Sequence, residues 1–221
     1  MANRVLRHIE LVLGHDQLFG ASVHLRNSLF AVAWGGAVYG TVMGMFGGLT
    51  QERWVQVVYS GLKVPLLVAA TTLLTLPSFF VLNSLAGLRA DFAAVLRAVL
   101  GTQGAVAVVL ACLAPYTAVW YLSTTAYHEA IVFNGVMFAV ASAAAQWVLR
   151  RRYAPLIAKN PRHRILLRTW LVVYCFVGIQ MGWILRPFIG QPGVRPTFFR
   201  EETWGNAYVI VADMVWKQFT R

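Results

Sequence analysis

An imidazole next to a carboxylate, with a guanidinium in reach, is a set that can move a proton or hold an anion. His128, Glu129 and Arg186 come nearest to such a set in this chain. All three border long uncharged runs, which places them at a membrane–water interface and not at mid-depth. The expected role is a tether, for instance a pair between Arg186 and Glu129, Glu201 or Glu202; a binding or proton-handling site is the alternative. A second group is polar but uncharged. Thr72, Thr75 and Asn83 fall approximately on one helical face, in a segment that also holds Pro77, and with Asn134 and Gln180 they could line a solute path. Hydroxyls that bond their own helix or bridge two helices are the commoner use of such residues.

Enzyme signatures are missing. His8, His15, His24, His128 and His163 are scattered, and there is no Gly-x-Ser-x-Gly elbow, His-Glu-x-x-His pair or phosphate-binding glycine loop. The sequence therefore predicts no catalytic residue, no cofactor and no metal site.

The sharpest local pattern is one of absent side chains. Gly36, Gly40, Gly44 and Gly48 recur every fourth residue and strip one side of a helix nearly bare, so that another backbone can come close. Gly178 and Gly182 offer a complementary surface further along. Packing within one chain and association with a second copy or another membrane subunit both follow from such a ridge.

These residues must be positioned by membrane helices. The chain has 221 residues, of which 58% are hydrophobic and only 12% charged, about half the charged fraction of a soluble domain. Uncharged or nearly uncharged runs cover 27–51, 64–88, 98–128, 130–149 and 169–185. Roughly 17 to 25 residues cross a bilayer as a helix, so the expected fold is an all-α integral membrane bundle of five transmembrane helices. Gly101, Thr102, Gln103 and Gly104 are read as the approach of the third span, which would begin as a short helix on the cytoplasmic face. The domain plan is a cytoplasmic amphipathic segment at 1–26, a transmembrane domain at 27–188 and an extracytoplasmic tail at 189–221. Amphipathic helices are expected at 3–13 and at 204–219. Cys112 and Cys175 lie in apolar runs and are expected to be buried as small hydrophobes.

Charge gives direction. The net charge of +11 is concentrated: the segments 1–26, 87–97 and 150–168 hold 12 of the 19 basic residues. The densest of these, with Arg150, Arg151, Arg152, Lys159, Arg162, Arg164 and Arg168, reads as a cytoplasmic loop. Five spans then place the N-terminus in the cytoplasm and the C-terminus outside, in a bacterial inner membrane. Orientation accounts for the basic excess, so the bilayer and a membrane subunit are the expected partners and nucleic acid is not.

Residues 180–193 read Gln-Met-Gly-Trp-Ile-Leu-Arg-Pro-Phe-Ile-Gly-Gln-Pro-Gly, and 63–67 with 76–83 supply a proline-containing second span. On these residues the chain resembles an uncharacterised family of bacterial multi-span membrane proteins, over most of 63–193. Its five-span layout is also similar to that of Yip1-type membrane proteins. Neither resemblance implies a reaction. As a helix exit the motif has a physical reading: Trp183 at the interface, Arg186 reaching the headgroups, Pro187 stopping the helix and Gly193 turning the chain.

Overall fold

The computed structural model describes residues 21–48, 53–191 and 193–199. The expected amphipathic helices at 3–13 and 204–219, together with Glu201 and Glu202, lie outside the described residues. Within them the chain is all-helical: α1 (Ala21–Gly44), α2 (Trp54–Leu85), a 3₁₀ turn (Arg89–Asp91), α3 (Phe92–Ser123), α4 (Tyr127–Lys159) and α5 (Arg162–Ile184). Four helical segments are long and apolar enough to cross a membrane, namely α2, the 3₁₀ turn with α3, α4 and α5. α1 is not among them; its glycines, Asn27, Ser28, Trp34 and Tyr39 dilute its hydropathy.

The helices run farther than the apolar runs. α2 and α3 have 32 residues each and α4 has 33, about 48–50 Å at 1.5 Å per residue, against a hydrocarbon core of about 30 Å. The surplus changes three readings. Residues 150–168 are not a loop: α4 continues through Arg150–Arg152 to Lys159, α5 begins at Arg162, and only Asn160 and Pro161 join them. The third span has no separate surface helix before it, because α3 is continuous from Phe92, and Gly101, Thr102, Gln103 and Gly104 are all buried packing positions. Gly101 leaves a slot for the Arg152 guanidinium, which a Cβ there would overlap. Lys63, expected to end a run, sits inside α2 with no exposed surface.

Short connections make sequence neighbours antiparallel. The packing order across the bundle is α4, α3, α1, α2, α5, while α4 and α5 touch little despite being joined by two residues. They meet at the lower end, where turns 86–91 and 160–161 lie, and diverge toward the upper end. Two cores result. The lower one joins Phe79, Val95, Val99, Leu149, Tyr153, Leu167 and Trp170 from α2, α3, α4 and α5. There Asp91 pairs with Lys159 and with the buried His163, tying the 3₁₀ turn to the α4–α5 corner. The upper core gathers Tyr39, Met43, Phe46, Val64, Leu110, Ala130 and Ile189 around the upper half of α1.

The glycine ridge is filled within the chain. Gly36 lies against Pro65, Gly40 against Ser60 and Gly61, and Gly44 against Gln56 and Val57, all backbone-to-backbone approaches between α1 and α2. Gly48 ends the pattern in a turn with φ +94° and open space around it. Gly178 meets only Thr71 and Gly182 meets nothing within 4 Å, so the α5 glycines do not complement the ridge. Cys112 and Cys175 are exposed on outer helix faces, the reverse of the burial expected for them.

Candidate functional site

The polar groups of the upper end converge on the segment after α5. α5 stops at Ile184, before Pro187 as the sequence predicts, but the chain then folds back onto α2 instead of simply leaving the membrane. Arg53, Gln56, Ser60 and Lys63 recur at three- and four-residue intervals along one face of α2, and each bonds a carbonyl of this returning loop. Arg53 donates to the Gly190 carbonyl at 2.8 Å, and also to Phe46 at 2.7 Å, which clamps the α1–α2 turn to the loop. Gln56 donates to Phe188 at 3.3 Å, Ser60 donates to the same oxygen, and Lys63 donates to Pro187 at 2.7 Å. From α4, Tyr127 donates to the Ile189 carbonyl at 3.3 Å.

This arrangement explains how a lysine is tolerated about 14 Å along α2 from Trp54, counted at 1.5 Å per residue. A charged group in an apolar setting needs a partner. The returning carbonyls, made available where Pro187 ends the helix ladder, accept the lysine's charge-assisted bond. The Phe198 ring adds a cation–π contact, its centroid 4.9 Å from Nζ. The sequence reading missed this stripe. The spacing of Arg53, Gln56, Ser60 and Lys63 is visible in the sequence, but reading Lys63 as a span boundary puts the first three residues outside any span.

Two cavities flank the loop. One, of about 600 Å³, opens between the diverging upper halves of α4 and α5. Its walls are Met43, Leu67, Ile131, Gly135, Phe138, Trp183 and Phe188; His128, Asn134, Tyr127 and Arg186 are its polar members. The second, of about 410 Å³, lies on the other side of Pro187 and is lined by Arg53, Gln56, Arg186, Gln191, Arg195 and Thr197, among others. Arg186 and Pro187 border both. The Arg186 guanidinium stacks on Trp183, 3.3 Å from the ring centroid.

The expected site residues thus separate into groups. His128, Asn134 and Arg186 share the larger cavity; Glu129 does not line it, and accepts a hydrogen bond from Thr124 at 2.7 Å. Asn134 is the centre of a buried network: Tyr39 donates to its Oδ1 at 2.8 Å, and its Nδ2 donates to Tyr121 at 2.6 Å and to the Ala130 carbonyl at 2.7 Å. One side chain thereby joins α1, α3 and α4. Thr72, Thr75 and Asn83 bond carbonyls of their own helix, at Val68, Thr71 and Phe79 respectively. All three are buried. Gln180 lines none of the cavities described here.

Compared with protein families, with curated proteins and with solved structures, the chain matches none.

Proposed function

We propose that the protein is a non-enzymatic, five-span protein of a bacterial inner membrane, with its N-terminus in the cytoplasm, that works as a scaffold or subunit of a membrane complex. The span count rests on α1: its upper half is enclosed by the other helices, with Tyr39 and Met43 almost wholly buried, and its 24 residues make about 36 Å of helix. The orientation rests on the lower end, where Arg89, Arg97, Arg150–Arg152, Lys159, Arg162, Arg164 and Arg168 gather on helix extensions. The layout that resembles Yip1-type proteins is part of the same proposal.

The observation that carries the scaffold reading is an uncovered helix face that includes two alanines. With the α1 ridge occupied by α2, the interface is assigned to α4, whose Val132, Val136, Ala139 and Ala143 are all exposed and spaced as one packing seam. Small side chains let a second helix approach closely, which is what drives association in lipid. Two features weigh against the alternatives. The hydroxyls of the candidate solute path bond their own helix, and Glu129 stands apart from the cavity shared by His128 and Arg186.

The test is the mass of the assembly extracted at natural abundance in native nanodiscs. A defined complex that Ala143→Leu reduces to the monomer, with the monomer's thermal stability unchanged, is the expected result. A lone wild-type monomer overturns the scaffold reading.

A further inference from the structure

Several basic side chains at the lower end are already engaged. Asp91, the one carboxylate there among the described residues, pairs with Lys159 and His163. Arg151 stacks on Trp147, 3.9 Å from the ring centroid, and Arg89 lies over Phe80. Arg97 and Arg162 donate to the Ala93 and Ala86 carbonyls. Arg164 and Arg168 do none of this. Both are exposed on α5, and among the described residues neither makes a hydrogen bond, ion pair or ring contact. Residues 1–20, which lead into α1, contain two arginines and two acidic side chains, so they leave the positive excess of this end unchanged.

The two arginines begin a stripe. At 100° per residue Arg164, Arg168, Val172, Phe176 and Ile179 fall within an arc of roughly 120° on α5, opposite the face that buries His163, Leu166, Leu167 and Trp170. All five are exposed, Val172 at 70%, Phe176 at 58% and Ile179 at 54%. Arg168 is the last charged residue before the apolar run at 169–185. From Arg168 down to Arg164 is about 6 Å of helix, close to the depth of one headgroup region, roughly 5–8 Å. From Arg168 up to Ile179 is about 16 Å, close to half of a hydrocarbon core of about 30 Å. The stripe is therefore cationic over the depth of a headgroup and apolar over the length of an acyl chain.

We propose that this face of α5 binds an anionic phospholipid of the leaflet at the lower end. The phosphodiester sits between Arg164 and Arg168, whose forked donors suit its oxygens, and an acyl chain lies along Val172, Phe176 and Ile179. Charge complementarity selects the anion: a zwitterionic headgroup would bring its own cation against two guanidiniums that have no carboxylate beside them. The apolar continuation of the stripe selects a lipid over an acidic peptide, which would cover only its lowest two turns. The proposal rests on the bilayer-spanning reading and stands apart from the scaffold reading, since the assembly seam is assigned to α4.

The experiment is native mass spectrometry with lipid titration on the full-length protein in a neutral detergent. The probes are phosphatidylglycerol, phosphatidylcholine and free glycerol phosphate. An arginine near a membrane surface contributes about fivefold in affinity, so phosphatidylglycerol should bind roughly thirtyfold more tightly than phosphatidylcholine. Arg164→Gln and Arg168→Gln should each lower that preference about fivefold, with the unfolding midpoint of the lipid-free protein unmoved, because neither side chain holds another part of the chain. Arg97→Gln removes the same charge from the same end but off the stripe, and should leave the preference within about twofold of wild type. Equal binding of the two lipids by the wild type overturns the site. A loss of preference in Arg97→Gln as large as in Arg168→Gln also overturns it, since diffuse charge would then account for the binding. Glycerol phosphate binding as tightly as phosphatidylglycerol overturns the role of the apolar half.

Discussion

The contact between α1 and α2 has no side chain on the α1 face, and adding one methyl group tests it. At Gly40 a Cβ would stand 2.8 Å from the Ser60 carbonyl carbon and 2.9 Å from the Gly61 Cα, with the Ser60 oxygen nearer still. Those atoms belong to backbone and cannot turn aside as a side-chain tip would. Bringing the carbonyl carbon out to the 3.4 Å where ordinary contact begins requires the two helices to part by at least about 0.6 Å. Overpacking of this kind costs ~1–3 kcal/mol, while the better helix propensity of alanine returns ~1 kcal/mol. Gly182 is the matched control: nothing lies within 4 Å of a Cβ there, so only the propensity gain applies. Gly40→Ala should therefore be less stable than Gly182→Ala by about 2 kcal/mol, and Gly40→Leu should be worse. Reversible unfolding of the monomer in mixed micelles of increasing dodecyl sulfate fraction, followed by tryptophan fluorescence, measures the difference. Equal stability of the two variants would refute the close approach. If Gly40→Ala instead left the monomer intact and dissolved an assembly, the ridge would be an intersubunit face and the packing described here would be mistaken.

Other outcomes follow from the polar contacts. Lys63→Met keeps the apolar stem but cannot donate to the Pro187 carbonyl; limited proteolysis should cut the 185–191 loop faster than in wild type, and an unchanged rate would show that Arg53, Gln56 and Ser60 suffice. Asn134→Leu removes the group that joins Tyr39 to Tyr121, with an expected loss of ~1–2 kcal/mol from interhelical hydrogen bonds in lipid; stability in the same micelle assay within 0.5 kcal/mol of wild type, a threshold of about the usual mutational noise, would count against the network. Thr75→Val removes a hydroxyl that bonds its own helix, so it should leave folding nearly unchanged and alter no solute flux in vesicles; a flux change would revive the polar path.

Much of the helical plan was readable because a long apolar run has few other solutions in a bilayer. α2, α3 and α5 each cover most of one expected run and α4 contains a whole one, and the missing amide of Pro187 predicts a helix stop before it. The errors share one physical origin: charge marks where the bilayer ends, and a helix does not have to end there. Arg150, Arg151 and Arg152 close an apolar run, yet α4 continues past them and through Pro155 to Lys159, since arginine and alanine are good helix formers and buried Tyr153 anchors the extension in the lower core. Residues 101–104 read as an interfacial break because two glycines flank two polar residues. Their small size instead admits close neighbours: Gly101 faces the Arg152 guanidinium, and Gln103 accepts a bond from Tyr174 at 2.8 Å. The glycine ridge was legible as a close-packing surface. Its occupant was not, since a bare helix face carries no information about which backbone will cover it.

Lys63 shows why the site itself was harder to read than the spans. The free energy of a charged group inside a helix depends on what reaches it from elsewhere in the chain, and here the answer lies 124 residues away, at the Pro187 carbonyl. A proline that ends α5 leaves carbonyls without helical donors, while a lysine within α2 brings a charge without an acceptor. Either feature alone would be costly in an apolar setting, and each satisfies the other when the loop folds back. The same fold-back seats Ile189 in the upper core and lies between two cavities that Arg186 and Pro187 both border. The features read separately in the sequence as a span boundary and a helix exit are thus two halves of one structure. Lys63 and Arg53 grip the same loop from α2, so a double-mutant cycle between Lys63→Met and Arg53→Gln in the micelle assay should show coupling above about 0.5 kcal/mol, and additive losses would show that the two bonds hold the loop independently.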